Sequence, residues 1–311
     1  MATQSIEAKP KMKVVLAEVF GYCWGVRRAV DMVEQARQAL DGEITTLGPI
    51  IHNPQVIEKH KTMGIGFRPN LDEIGGGTVV LSAHGVSPRV SELARDKGLN
   101  VIDATCPYVT KVHRAAKKMA QEGYQIVLVG DHGHTEVKGV LGAIEQVGGE
   151  IYVVSKPEEV AELPLGRKVG VVTQTTQTAA NFGAVLAEVA KRAYEVRAYN
   201  TICGATDELQ AAAEKLASEV EVVIVIGGRP SANTRRLRDI CEKEGVPAYH
   251  IETKEEIQSE WLQGKSVVGV TAGASTPDWL VDDVIRYLSD GEQRLPERRL
   301  LADDEVQSAY H

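Results

Sequence analysis

The sequence predicts an α/β protein made of three repeated units with mainly parallel sheets, and three observations carry that expectation. Short β-branched runs alternate with helical patterns along the chain, as βα units do. The length of 311 residues exceeds what one hydrophobic core usually serves. Three cysteines, Cys23, Cys106 and Cys203, each follow a strand pattern and precede a helical one, and similar loops recur at similar distances behind each.

Taken in order, "KVVLAEV" opens the pattern as a strand within 12–22 and leads through "FGYC" into the amphipathic "VRRAVDMVEQARQAL". The strands "EITTLG", "TVVLSA" and "NVIDAT" then complete a first unit over 24–105. A second unit, 106–202, carries "QIVLVG" and "KVGVVTQ" and ends on the strand that begins "EVRAYNTIC". A third, 203–288, opens with the helical "ATDELQAAAEKLA", carries "EVVIVIG" and "SVVGVTAG", and is joined by the N-terminal strand 12–22. Residues 289–311 are polar and non-periodic and read as a C-terminal extension on the surface or disordered.

The net charge of −8 argues against a general affinity for nucleic acid or anionic membrane. No apolar run reaches the ~18 residues of a transmembrane helix. The opening "MATQSIEAKPKMK" has no apolar h-region, so a cytoplasmic location is expected. In that compartment the four cysteines are poor disulfide candidates and better candidates for metal binding or catalysis.

Cys23 stands at a helix mouth, where unpaired amides and the helix dipole favour a thiolate. Alone it also reads as a small buried apolar residue. Counting forward, Cys23 leads to His52 in "GPIIHNP", Cys106 to His134 in "GDHGHTE" and Cys203 to Ser231 in "GRPSAN", each 28 or 29 residues on. A second loop in each unit carries His84 in "SAHGVSP", Thr175 in "TQTTQT" and Ser275 in "AGASTP". Units packed about a pseudo-threefold axis would bring the three cysteines to the centre. The C-x-x-C pairs of a structural zinc site are missing, and three thiolates suit a central [4Fe-4S] iron-sulfur cluster with one iron left open. Cys241, in "RRLRDICEKEG", falls outside this scheme and reads as a core residue. His52, His84, His134, Ser231, Asn233 and Ser275 singly read as helix caps or loop residues. Together they describe a donor-rich, lysine-poor pocket for a small phosphorylated ligand. Glu136 in isolation reads as a surface carboxylate in a first helical turn.

The segments "GYCWGVRRAV", "IIHNP", "SAHGVS", "DATCPYVTKVH", "GHTEVKG", "TQTTQT" and "GVTAGASTPDWL" resemble, in order and from about residue 13 to residue 288, the motifs of the 4-hydroxy-3-methylbut-2-enyl diphosphate reductase family of the methylerythritol phosphate route. The resemblance implies a three-lobed α/β fold around a [4Fe-4S] cluster held by Cys23, Cys106 and Cys203. It implies that His52, His84, His134, Ser231, Asn233 and Ser275 hold the diphosphate and that Glu136 and Thr175 face the departing hydroxyl. The implied reaction removes that hydroxyl reductively, giving isopentenyl and dimethylallyl diphosphates, with electrons from a donor such as ferredoxin or flavodoxin. The chain departs from the family pattern at Thr135, where Pro is usual, at Ala232, where a Ser is usual, and at Leu209, where an Arg is usual. The alternative is an iron-sulfur hydro-lyase or reductase acting on a related small phosphorylated substrate, and a requirement for an electron donor separates a reductase from a hydro-lyase. A zinc deaminase lacks its PCxxC partner, and a nucleotide binder lacks the glycine fingerprint.

Overall fold

The computed structural model describes residues 12–291, 293 and 295, so the expected extension over 289–311 lies almost wholly outside the described residues. The elements run β1 (Lys13–Leu16), α1 (Trp24–Ala39), β2 (Ile44–Leu47), α2 (Pro54–Thr62), β3 (Gly66–Arg68), β4 (Thr78–Leu81), α3 (Pro88–Asp96) and β5 (Asn100–Asp103). They continue with α4 (Pro107–Gln121), β6 (Gln125–Val129), α5 (Thr135–Glu145), β7 (Ile151–Val154), β8 (Lys168–Thr173), α6 (Ala179–Ala190) and β9 (Glu195–Ala198). The rest are α7 (Gly204–Ala217), β10 (Val222–Ile226), α8 (Ala232–Lys243), β11 (Ala248–Ile251), α9 (Ser259–Leu262), β12 (Val267–Ala272) and α10 (Asp278–Leu288).

Among the described residues the strands form three four-stranded sheets, in the orders β3-β2-β4-β5, β7-β6-β8-β9 and β1-β12-β10-β11. Every pairing is parallel. These are the three parallel-sheet α/β units that the alternation of patterns predicts. The first two sheets belong to one compact unit, Cys23–Asp207, while the third, with the N-terminal β1 at its edge, belongs to a second that resumes at Glu208.

The second sheet shows why its strands read as continuous apolar runs. Ile126 and Leu128 pack on one face with Val112, Ala116 and Met119 of α4 and Val137, Val140 and Ile144 of α5. Val127 and Val129, pointing the other way, pack with Val185 and Val189 of α6. Alternate residues of a strand face opposite sides, so a parallel strand covered by helices on both faces must be apolar throughout. The helices answer with stripes: α4 buries Val109, Val112, Ala116 and Met119 at helical spacing. Burying each large side chain fully contributes about 1.5–3 kcal/mol. With both faces covered, the polar loops at the carboxyl ends of the strands are left to form sites.

Candidate active site

The sheets repeat one device. In each of the first two, the inner strands and one edge strand end in loops that carry the sequence-derived residues. The loops after β2, β4 and β5 carry His52, His84 and Cys106, and those after β6, β8 and β9 carry His134 with Glu136, Thr175, and Cys203. In the third sheet β10 leads to Ser231 and Asn233, β12 leads to Ser275, and β1 leads on to Cys23.

Cys23 and Cys106 are N-caps of α1 and α4, and neither side chain accepts a capping hydrogen bond. Cys203 directly precedes α7. All three are free thiols and only partly buried. Gly25 lets α1 approach α4 closely, since a Cβ at that position would stand 2.5 Å from Cys106 Sγ. The amides of Gly25 and Val26 favour a Cys23 thiolate, as the helix mouth predicts, but burial outweighs them and raises the pKa. Burial, then the neighbouring Cys23, push Cys106 up to about 12. Burial raises Cys203 further, followed by Cys23 and Cys106. Cys23 therefore stands near enough to raise the pKa of both other thiols. Among the described residues, no group of three or more His, Cys, Asp or Glu side chains is gathered to hold a single metal ion.

The three histidines meet. His52 and His84 stack with ring centroids 3.9 Å apart, and the His134 ring stands edge-on to both, at 5.1 and 5.9 Å. Gly85 and Gly133, beside His84 and His134, have φ of 74° and 77°, a left-handed turn that a side chain would strain. His134 caps α5, its Nδ1 accepting from the Glu136 amide at 3.2 Å. That bond puts the ring proton on Nε2. Burial holds the His84 pKa well below the usual imidazole range, and the charges of His52 and His134 hold it lower still. The buried Nδ1 of His84 has no partner.

Glu136 is not a surface carboxylate, being 2% exposed. Its Oε1 accepts from the Thr175 amide at 2.7 Å and its Oε2 from the Thr175 hydroxyl at 2.8 Å. The Thr175 carbonyl in turn accepts from the Cys203 amide at 3.0 Å, and the Cys106 amide donates to Ala83, next to His84. One set of bonds thus ties the acid and the hydroxyl to the Cys203 loop, and a second ties the Cys106 loop to that of His84.

The hydroxyl and amide residues lie in the other unit. Ser231 caps α8, its Oγ accepting from Thr234 N at 3.3 Å and from Thr234 Oγ1 at 2.9 Å. Asn233 is buried with neither its Nδ2 nor its Oδ1 paired, a costly condition that a polar ligand would relieve. Ser275 is buried in the loop after β12. A Cβ at Gly273 would stand 2.0 Å from Thr234 Oγ1, so the loop after β12 touches the first turn of α8 there. Of the departures, Ala232 and Thr135 are the first residues of α8 and α5, and Leu209 is fully buried in α7. Cys241 is buried in α8 beside the Ala213 carbonyl.

Sequence reasoning passed over Gln174 and Gln177. Gln174, fully buried, accepts from the Asp131 amide at 2.9 Å, and Gln177 donates to Asp131 Oδ1 at 3.3 Å. The glutamines of "TQTTQT" therefore hold the "GDHGHTE" loop while its threonine holds Glu136. Two glutamines flanking a strand-end threonine were the available signal.

Parallel sheets whose carboxyl-end loops gather thiols, imidazoles and a buried carboxylate define a catalytic class of α/β protein, and the comparisons narrow the class. The family model for the LytB protein matches residues 14–289. A protein of Geobacter sulfurreducens called 4-hydroxy-3-methylbut-2-enyl diphosphate reductase is 45% identical over 283 residues, 91% of this chain and 99% of its own length. One of the same name from Aquifex aeolicus is 45% identical over 271 residues, covering 87% and 94%. A solved structure of that reductase, described as the terminal enzyme of the non-mevalonate pathway, matches with TM-score 0.67 and 44% identity over 90% of this chain and 99% of its own. A structure of the E-1-hydroxy-2-methyl-but-2-enyl-4-diphosphate reductase from Plasmodium falciparum matches with TM-score 0.85 and 26% identity over 97% and 100%. The chain belongs to the LytB family.

Proposed function

We propose that this chain is an oxidoreductase that removes the hydroxyl of 4-hydroxy-3-methylbut-2-enyl diphosphate, giving isopentenyl and dimethylallyl diphosphates. The allylic C–O bond breaks, two electrons and two protons enter, and water leaves. Family membership and the names of the relatives support the reaction.

The donor set fits a [4Fe-4S] cluster. Three soft thiols, free of disulfides and each at or beside a helix mouth, suit iron-sulfur chemistry, and thiols shared among several irons need not meet at one ion. Cys23, Cys106 and Cys203 would hold it. When bound, such a cluster supplies an electron reservoir and one open Lewis-acidic position. We assign diphosphate binding to His52, His84, His134, Ser231, Asn233 and Ser275. His134 presents Nε2–H as a donor because its Nδ1 is occupied. Glu136 supplies the proton that lets the hydroxyl leave as water, and Thr175 relays it, passing on its own proton as it takes one from the carboxyl. A positioned acid of this kind contributes about 10²–10⁴-fold. Unpaired cysteines suit a reducing compartment, which supports a cytoplasmic location.

The observation that carries this assignment is the Glu136–Thr175 pair, buried and bonded through both carboxylate oxygens. Anaerobic purification followed by EPR and Mössbauer spectroscopy, with and without the allylic diphosphate, tests it. A four-iron signal that changes on adding substrate, with turnover under an artificial reductant, is expected. A protein that retains no cluster after reconstitution and does not turn over would overturn the proposal.

A further inference from the structure

We propose that the exposed face of α4 is the docking surface for a small acidic electron-carrier protein, an inference that rests on the reductive function just argued. That reaction consumes two electrons, and the sequence carries no dinucleotide fingerprint through which a bound nicotinamide would supply them. They must arrive from another molecule that comes close to the cysteines.

Three helices begin at those cysteines, and their charges differ. The helix α7, after Cys203, carries Asp207, Glu208 and Glu214 against Lys215. In α1, after Cys23, Arg27, Arg28 and Arg37 are mixed with Asp31 and Glu34. The helix α4, after Cys106, carries Lys111, Arg114, Lys117 and Lys118 and no carboxylate, in a chain with 43 acidic and 35 basic residues. Its other face is spent on the core, so Lys111, Arg114 and Lys118 are exposed. Among the described residues none of these three has an ion-pair partner, whereas Lys59, Lys61 and Lys191 pair with Glu34, Glu58 and Glu188. At 1.5 Å of rise per residue, the three cations lie roughly 7 to 18 Å along the axis from Cys106. An unpaired cationic stripe leading to a cysteine, on an otherwise acidic protein, matches a partner whose carboxylates surround its redox centre. Such surfaces act chiefly on encounter and register, and salt screens them.

The test compares the holoenzyme with a Lys111→Glu, Arg114→Glu, Lys118→Glu variant, using an acidic plant-type ferredoxin as probe. Calorimetric titration of the oxidised ferredoxin, at low and at moderate salt, reads binding independently of turnover. Ferredoxin-driven and methyl-viologen-driven turnover are then measured side by side. The expected result is unchanged dye-driven turnover, with the Kd and KM for ferredoxin raised tenfold or more at low salt and the parent's salt dependence flattened. If the dye-driven rate also falls, a Lys111→Gln, Arg114→Gln, Lys118→Gln variant decides, and it should show a smaller rise in Kd with the dye-driven rate restored. Ferredoxin binding equal to the parent's in both variants would overturn the proposal. So would an equal loss on reversing Lys59, Lys61 and Lys191 instead. Failure of the parent to turn over with dye would count against the reductive function, while the titration would still judge the surface.

Discussion

The loops at the strand ends of the Cys23–Asp207 unit and those of the third sheet are built alike, from parallel strand, short loop and helix cap, yet they are furnished differently. The first set carries thiols, imidazoles and a carboxylate, and its proton-moving groups are bonded within the protein: Glu136 is held by Thr175, and His134 Nδ1 by the Glu136 amide, while His84 Nδ1 has no partner. The second carries hydroxyls and an amide, and the Asn233 amide is buried with no partner at all. Groups that move protons must be fixed before a ligand arrives, because tautomer and distance decide the transfer. Groups that only bind can wait for the ligand to complete their bonds.

The sharpest way to break this comparison is at two glycines. Alanine is favoured over glycine in a helix by about 1 kcal/mol, so Gly25→Ala should stabilise α1 if helix propensity alone mattered. Its new methyl would instead meet Cys106 Sγ at 2.5 Å, and we expect most of the reconstituted iron to be lost. Gly273→Ala, which crowds Thr234 Oγ1, should keep its iron and lose affinity for the diphosphate. Iron and sulfide per chain, set beside substrate titration, distinguishes the two, and equal iron in both variants would erase the contrast.

Next in size is Glu136→Gln. It keeps the shape but offers no acidic proton, so turnover with excess artificial reductant should fall by about 10²–10⁴ while cluster and substrate binding remain. A rate close to the parent's would remove Glu136 from the proton path.

Acid should also find the Cys23–Asp207 unit. Burial against Gly139 holds His113 down at about 4, in spite of the opposing pull of Asp103. An unfolded histidine titrates near pH 6.5. The unfolded chain therefore binds the extra proton first. This histidine's contribution is complete above pH 6.5 and is lost as the pH falls toward 4, at most about 3 kcal/mol. Urea unfolding at pH 7.5 and 5 should show the loss, and His113→Gln should flatten it. An unchanged slope would mean that other groups set the acid limit.

The smallest effect is expected at Asn233→Ala. Losing one hydrogen bond to a charged ligand should weaken diphosphate binding about tenfold. Thermal stability of the free protein should hold or rise, because an unpaired buried amide is removed. A clear fall in stability would mean that Asn233 is a structural residue and not one held ready for a ligand.

Much of this architecture is legible in the sequence, for a physical reason. Strands such as Val222–Ile226 and Thr78–Leu81 are buried along their whole length, so the runs that form them are apolar apart from Thr78. The patterns do not announce β3, β7 and β11. All three are sheet edges of three or four residues with partly exposed positions, where burial imposes little on composition. The cysteine spacing was readable because each thiol follows an edge strand in the same topological slot. The Glu136–Thr175 bond was not, since 39 residues separate the partners and only the adjacency of β6 and β8 brings their loops together. Gln174 and Gln177 were hidden for the same reason.

The place of β1 has a consequence for synthesis on the ribosome. Lys13–Leu16 pairs with Val267–Val270, so β1, once made, must wait for roughly 250 further residues, tens of seconds at ordinary elongation rates. During that interval the Cys23–Asp207 stretch can complete both of its own sheets, since neither borrows a strand from outside. The last sheet closes by capturing an edge strand made long before its partner. A nascent chain stalled before Val267 would therefore keep that apolar edge open, and this is where a chaperone would find it.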